Sequence, residues 1–114
     1  MHEASIVQSL LELAEDYCKL NNYTKIKSMK IRVGALSGVM PEAMDFAYEA
    51  MKPGTMAEDA SLIIETVIAQ GVCSECAKVF EVDGPYMLEC PECGSFGFTV
   101  TKGRELELSE MEVD

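Results

Sequence analysis

Between Ala4 and Leu20, apolar residues recur at Ile6, Leu10, Leu13, Ala14 and Tyr17, the spacing of one helical face, with Gln8, Glu12, Glu15 and Asp16 mostly opposite. The pattern predicts a helix that begins almost at the first residue and stops at Asn21-Asn22. Met29, Ile31 and Val33 then alternate with Lys30 and Arg32 before Gly34, which predicts a strand over 27–34 with one buried face and a basic exposed side. Pro41 suits a first helical position. Met44, Ala47, Tyr48 and Met51 follow at i, i+3, i+4 and i+7, and Pro53-Gly54 closes the element, so a second helix is expected over 41–51. Leu62, Ile64, Thr66 and Ile68 share one face of an extended segment and Ile63 and Val67 the other, so 61–69 is expected to be a central strand covered on both sides.

The character changes between Gly71 and Gly103. Paired cysteines and Gly84-Pro85 replace the periodic apolar positions, which are too few here for an independent core. Something other than packing has to hold this stretch. Beyond it Leu106 and Leu108 are in register and Met111 and Val113 out of it, as in a strand carrying one extra residue near Ser109-Glu110. That strand needs a sheet, and returning it to the one formed by 27–34 and 61–69 makes the cysteine segment an insertion.

Length limits what such a fold can do. A chain of 114 residues is about one domain's worth, too short for a dinucleotide-binding enzyme with a separate substrate domain. Hydrophobic residues at 48% with aromatics at 7% make the core mainly aliphatic. Asp and Glu number 20 against 9 Lys and Arg, a net charge of −11 that repels phosphate backbones and anionic lipid surfaces, so no nucleic acid and no membrane are expected as partners. No stretch approaches the roughly 18 apolar residues of a membrane span, and the start lacks a basic region followed by an apolar core, so a cytoplasmic protein is expected. Five cysteines in a reducing compartment point to metal or thiol chemistry before disulfides. The odd one, Cys18, sits on the first helix away from the centre of its apolar face and is expected to be an inert, partly buried thiol.

Cys73-Ser-Glu-Cys76 and Cys90-Pro-Glu-Cys93 form C-x2-C, thirteen residues, C-x2-C. Two intervening residues let a tight turn aim both sulfurs at one ion, and two such turns supply the tetrahedral four-sulfur set that zinc accepts. A closed set leaves no position for water, so the metal would stabilise the fold and not catalyse. The same residues as a redox dithiol would have to cycle at physiological potentials. From 73 to 93 the only basic residue is Lys78, against Glu75, Glu81, Asp83, Glu89 and Glu92, which argues against a phosphate-contacting ribbon. Gly94 after Cys93 can take the positive φ such turns often need, whereas Ala77 after Cys76 pays a steric penalty there.

The single histidine stands at position 2. The terminal amine of Met1, the amide nitrogen of His2 and its imidazole can close two fused chelate rings on one ion, leaving one corner of a square plane that Glu3 can fill or support. Nitrogen donors in a plane favour Ni(II) or Cu(II). The first amides of a helix have no intrahelical acceptor and can lose their protons to a metal without breaking the ladder. Methionine before a bulky histidine is expected to escape removal, which keeps the amine at chelate distance.

Met1-His2-Glu3 opening an amphipathic helix, Val33-Gly34-Ala35-Leu36-Ser37 after a strand, Pro41-Glu42 with Phe46-Ala47-Tyr48, Gly54-Thr55, and the double C-x2-C followed by Gly103-Arg104-Glu105-Leu106 resemble the HypA/HybF hydrogenase nickel-incorporation proteins over nearly the whole chain. The resemblance implies a nickel metallochaperone, not an enzyme, that carries Ni(II) as cargo. It implies nickel held by His2 and its neighbouring backbone nitrogens and structural zinc held by Cys73, Cys76, Cys90 and Cys93. Its implied partners are the nickel-handling GTPase HypB and the large subunit of a [NiFe]-hydrogenase, with the chain itself a monomer or homodimer. Ala77 replaces the glycine common after the first pair, and no histidine adjoins either pair, so a pH-driven exchange of zinc ligands is not expected.

The expected fold is therefore α+β: two helices packed on a small mixed β-sheet, with an inserted four-cysteine zinc-ribbon domain. Residues 1–70 plus 103–114 would form the nickel-binding α/β domain and 71–102 the zinc-binding domain. Met1, His2 and Glu3 are the expected nickel residues. The rival reading, from another functional class, is a zinc-ribbon protein-interaction adaptor without nickel transfer, in which His2 is incidental.

Overall fold

The structure is a computed structural model that describes residues 2–84 and 87–114, the side chain of His2 excepted. In chain order the elements are α1 (His2–Leu20), β1 (Ile26–Gly34), α2 (Pro41–Met51), β2 (Ser61–Val67), β3 (Gln70–Cys73), β4 (Val79–Glu81), β5 (Phe98–Lys102) and β6 (Leu106–Val113). The strands form two three-stranded sheets, ordered β2-β1-β6 and β4-β3-β5. The chain divides into two compact units: Met1–Arg32 with Val39–Glu65 and Glu107–Asp114, and Val33–Gly38 with Thr66–Leu106.

In the first unit both helices stop where the chain chemistry says they should. Asn22 closes α1 with a φ of 62°, a conformation asparagine tolerates, and the Tyr23 N–H returns to the Cys18 carbonyl at 2.8 Å. Proline opens α2, and the Lys52 N–H caps its far end on the Tyr48 carbonyl. Lys25, just before β1, pairs with Asp59, just before β2, and Lys30 pairs with Glu65 further along both, so these strands run parallel. Parallel neighbours need a crossover, and α2 supplies it. Asp114 instead exchanges hydrogen bonds with Thr24 and Lys25 while Glu107 meets Arg32, so β6 runs antiparallel to β1. The sheet is mixed, as expected, and β6 returns to it.

Ile26, Met29 and Ile31 of β1 meet Val7, Leu11, Ala14 and Cys18 of α1 and Met44, Ala47 and Tyr48 of α2 in the buried core. This corrects the helix face read from the sequence. The stripe on the core is Val7, Leu11, Ala14 and Cys18, whereas Leu13 and Tyr17 are 56% and 51% exposed. Apolar residues cover a wide arc of α1, and the side with small Ala14 and Cys18 lets the helix approach most closely. Cys18 is consequently at the core and fully buried. The placing of 61–69 as a doubly covered central strand is also corrected. With β6 on one side of β1 and β2 on the other, β1 is central and β2 is an edge. It ends at Val67, and Ile63 and Ile68 are about half exposed. The other face of the sheet carries a charge network in which Arg32 pairs with both Glu65 and Glu107.

In the second unit β3 pairs antiparallel with β4 and β5. Its buried core is small: Ala69, Cys73, Phe80, Val82 and Cys90, with Phe98 meeting Phe80 edge-on at 5.2 Å. Gly34 and Gly103 pass so closely that a Cβ on Gly34 would lie 2.1 Å from the Gly103 carbonyl oxygen, so the two segments could not approach this closely with a side chain at Gly34. The Leu36 N–H donates to the same carbonyl at 2.6 Å.

Candidate metal centre

Cys73 ends β3, and the chain turns through Cys76 before entering β4. The Ala77 N–H donates to the Cys73 carbonyl at 3.0 Å and the Cys73 N–H to the Lys78 carbonyl at 3.0 Å. The second pair repeats the pattern: Gly94 donates to Cys90 at 2.9 Å and Cys90 to Ser95 at 2.8 Å. Both turns need a left-handed residue after the second cysteine, and Gly94 has a φ of 76°. Ala77 takes a φ of 60° at the matching place, so the strain foreseen from the sequence is present in the fold.

The turns aim backbone N–H groups at sulfur. Glu75 and Cys76 donate to the Cys73 sulfur at 3.3 and 3.5 Å, and Glu92 donates to the Cys90 sulfur at 3.4 Å. The two bonds to Cys73 favour its thiolate over its thiol. The Cys76 amide is the largest influence on Cys73 and, against burial, lowers its thiol to about 7. At Cys93 the Ser95 amide acts in the same direction, but hydrogen bonding with Cys73 and burial outweigh it and push that thiol up to about 12. Cys73 and Cys90 are buried and Cys76 and Cys93 exposed, so one side of the cluster faces the unit's core and the other the surface.

All four sulfurs lie within 4.8 Å of one another. A tetrahedral site with zinc–sulfur bonds of ~2.3 Å has sulfur–sulfur edges of about 3.8 Å. Cys73 and Cys93 stand 3.6 Å apart and Cys76 and Cys90 3.7 Å apart, so two opposite edges of the cluster have the length that a single four-coordinate ion requires. Two residues that the spacing rules do not flag support it. Ser74 bonds the Gly97 carbonyl through both its N–H, at 2.8 Å, and its hydroxyl, at 2.6 Å, tying the first turn to the segment after the second. A Cβ at Gly97 would stand 2.4 Å from that hydroxyl. The fifth cysteine has no part in the cluster. Burial, helped by the Glu15 carboxylate, raises the Cys18 thiol and suits it to a packing role.

The other expected metal residues are Met1, His2 and Glu3. Met1 and the His2 side chain lie outside the described residues. His2 is the first residue of α1, and Glu3 lies in the first turn, partly buried.

A family model described as hydrogenase/urease nickel incorporation, metallochaperone, hypA matches residues 1–113. The chain belongs to the HypA family. Among its relatives is a hydrogenase maturation factor HypA of Geobacter sulfurreducens, 43% identical over 114 residues and covering all of both chains. Another, of Picosynechococcus, is 42% identical over 113 residues, 99% of each chain. The solution structure of the nickel metallochaperone HypA from Helicobacter pylori superposes with a TM-score of 0.70 at 28% identity, covering 97% of this chain and 96% of that one. A second solution structure, titled HypA protein, gives a TM-score of 0.74 at 29% identity, with 99% and 96% covered. The expected α+β fold with its four-cysteine metal site is thus the HypA fold.

Proposed function

We propose that this chain is a nickel metallochaperone, which binds Ni(II) at its amino end and delivers it during maturation of a [NiFe]-hydrogenase. The match of the family model across residues 1–113 carries this reading. The terminal amine of Met1, the amide nitrogen and imidazole of His2, and Glu3 form the nickel site. A set of separate donors of this kind suits a carrier, because a receiving protein can replace them one at a time. The nickel-handling GTPase HypB and the hydrogenase large subunit are its partners, and its work is in the cytoplasm.

Cys73, Cys76, Cys90 and Cys93 hold zinc, which fixes the β4-β3-β5 unit by joining its two turns. The gathering of four sulfurs within 4.8 Å of one another, with two edges of 3.6 and 3.7 Å, supports that assignment. Residues 1–70 with 103–114 act as the nickel-binding domain and 71–102 as the zinc-binding domain. The test is metal analysis of the purified, untagged chain followed by nickel titration. About one zinc per chain in an all-sulfur shell at ~2.3 Å by X-ray absorption is expected. His2→Ala should abolish nickel binding and leave the zinc in place. Nickel affinity unchanged in that variant would refute the amino-terminal site.

A further inference from the structure

The wide apolar arc of α1 leaves a remainder that the fold does not use. Leu13 and Tyr17 project from the flank of the helix beside the core stripe and, with Tyr23, form one wall of a groove of 460 Å³. Leu108, Met111 and Val113 of β6 line the other side. Tyr17 and Tyr23 stack at 6.4 Å, and Tyr23 and Thr24 are tied by backbone bonds to Cys18 and Asp114, so this wall is built in advance. The sheet order β2-β1-β6 leaves β6 without a neighbour on its outer side. A further strand would lie there, about 4.8 Å away, beneath the overhanging Leu13 and Tyr17.

Charge decides what could occupy it. Every charged residue from Leu106 to Asp114 is acidic. Glu107 pairs with Arg32 and Asp114 with Lys27, while among the described residues Glu110 and Glu112 have no ion-pair partner. Two copies meeting edge to edge through β6 would set these carboxylates against each other, which is unfavourable. An incoming segment with Lys or Arg alternating with apolar residues would instead match the acidic strand and fill the apolar groove. We infer that the groove between the Leu13–Tyr17 flank of α1 and the outer edge of β6 docks an extended basic segment of a partner protein, which joins the sheet as a fourth strand. This surface is independent of both metal readings.

The probe is a capped ten-residue peptide alternating Lys and Val, with the Glu–Val counterpart and a Lys–Val version carrying a central Pro as controls. In a titration of the full, isotope-labelled chain followed by amide and aromatic NMR shifts, the Lys–Val peptide should perturb Leu108–Val113 and the Tyr17 and Tyr23 rings. The Pro version should bind more weakly, because it loses a ladder bond, and the Glu–Val peptide should not bind. Tyr17→Ser should weaken binding about tenfold. Charge reversal at Glu110 and Glu112 to Lys, on an exposed edge where folding is unaffected, should weaken it similarly and admit the Glu–Val peptide. Shifts spread over the acidic surface and insensitive to the Pro, or no binding at all, would overturn the inference. So would a dimer dispersed by Leu13→Ser, which would show a second copy in the groove.

Discussion

Cys90→Ser is expected to release the β4-β3-β5 unit while sparing the two helices. Cys90 is 2% exposed, its sulfur lies 3.7 Å from that of Cys76, and it accepts the Glu92 N–H. Serine shortens the side chain and replaces sulfur with a hydroxyl, so one of the four donors of the proposed zinc site is lost. Structural zinc is worth ~10–16 kcal/mol in small zinc-dependent folds. Shared evenly over four sulfurs this is about 2.5–4 kcal/mol per ligand, or about 10² to 10³ in zinc affinity. The unit cannot absorb such a loss by packing, because two of its five buried core residues, Cys73 and Cys90, themselves belong to the sulfur cluster. Competition with a chromophoric zinc chelator measures the affinity, and hydrogen exchange read by mass spectrometry locates the loosening. Protection should be lost first in β3, β4 and β5 and retained in α1 and α2. Unchanged zinc affinity, or protection lost equally in the helices, would refute the view that metal rather than core holds this segment.

Four further changes address the rest of the molecule. Tyr48→Phe removes the buried hydroxyl that donates to the Ala60 carbonyl at 2.8 Å. A stability loss of ~1–3 kcal/mol should appear in thermal melts followed by circular dichroism, with zinc content unchanged. Gly103→Ala forces alanine to a φ of 121° and sets its Cβ 2.7 Å from the Ala69 Cα. Denaturant midpoints should show more than the ~1–3 kcal/mol that unfavourable backbone conformation alone costs, whereas Gly94→Ala, with a φ of 76° and open space around it, should show no more than that. Adding Gly-Ser before Met1 moves the amine out of chelate reach without altering a named side chain. Nickel titrations should then show weaker binding or a changed visible spectrum, and equal affinity with the same spectrum would exclude the amine as a ligand.

The four-cysteine centre was legible in the sequence because a C-x2-C turn is a local device. The geometry that gathers Cys73 with Cys76 is contained within six residues of chain, and the same holds for Cys90 with Cys93. Ser74 and Gly97 were not legible, because their bond joins residues 23 apart in sequence and neither type is rare in loops. The strand positions were readable too, since Met29, Ile31 and Val33 alternate, and the phase break in β6 shows as consecutive exposed Ser109 and Glu110 between part-buried Leu108 and Met111. What periodicity could not supply was which neighbour each strand receives. Ile63 and Ile64 gave β2 an apolar character on both faces, yet helices cover only one face of its sheet, and β6 takes the place beside β1 that would have made β2 internal.

The same limit explains the error at α1, and the error has functional content. Hydrophobicity along that helix exceeds what the core consumes: Val7, Leu11, Ala14 and Cys18 satisfy the sheet, while Leu13 and Tyr17 remain half exposed against an open strand edge. Isolated exposed apolar residues are ordinary on protein surfaces. Here they are contiguous, braced by an aromatic stack and bordered by Glu110 of the neighbouring strand, which has no ion-pair partner among the described residues. A pattern that predicts burial and meets none within its own chain is the pattern expected of a surface completed by another protein. In a protein whose family incorporates nickel into hydrogenase or urease, such a surface has a use, because a metallochaperone of the kind proposed above must hold its partner while the metal is handed over.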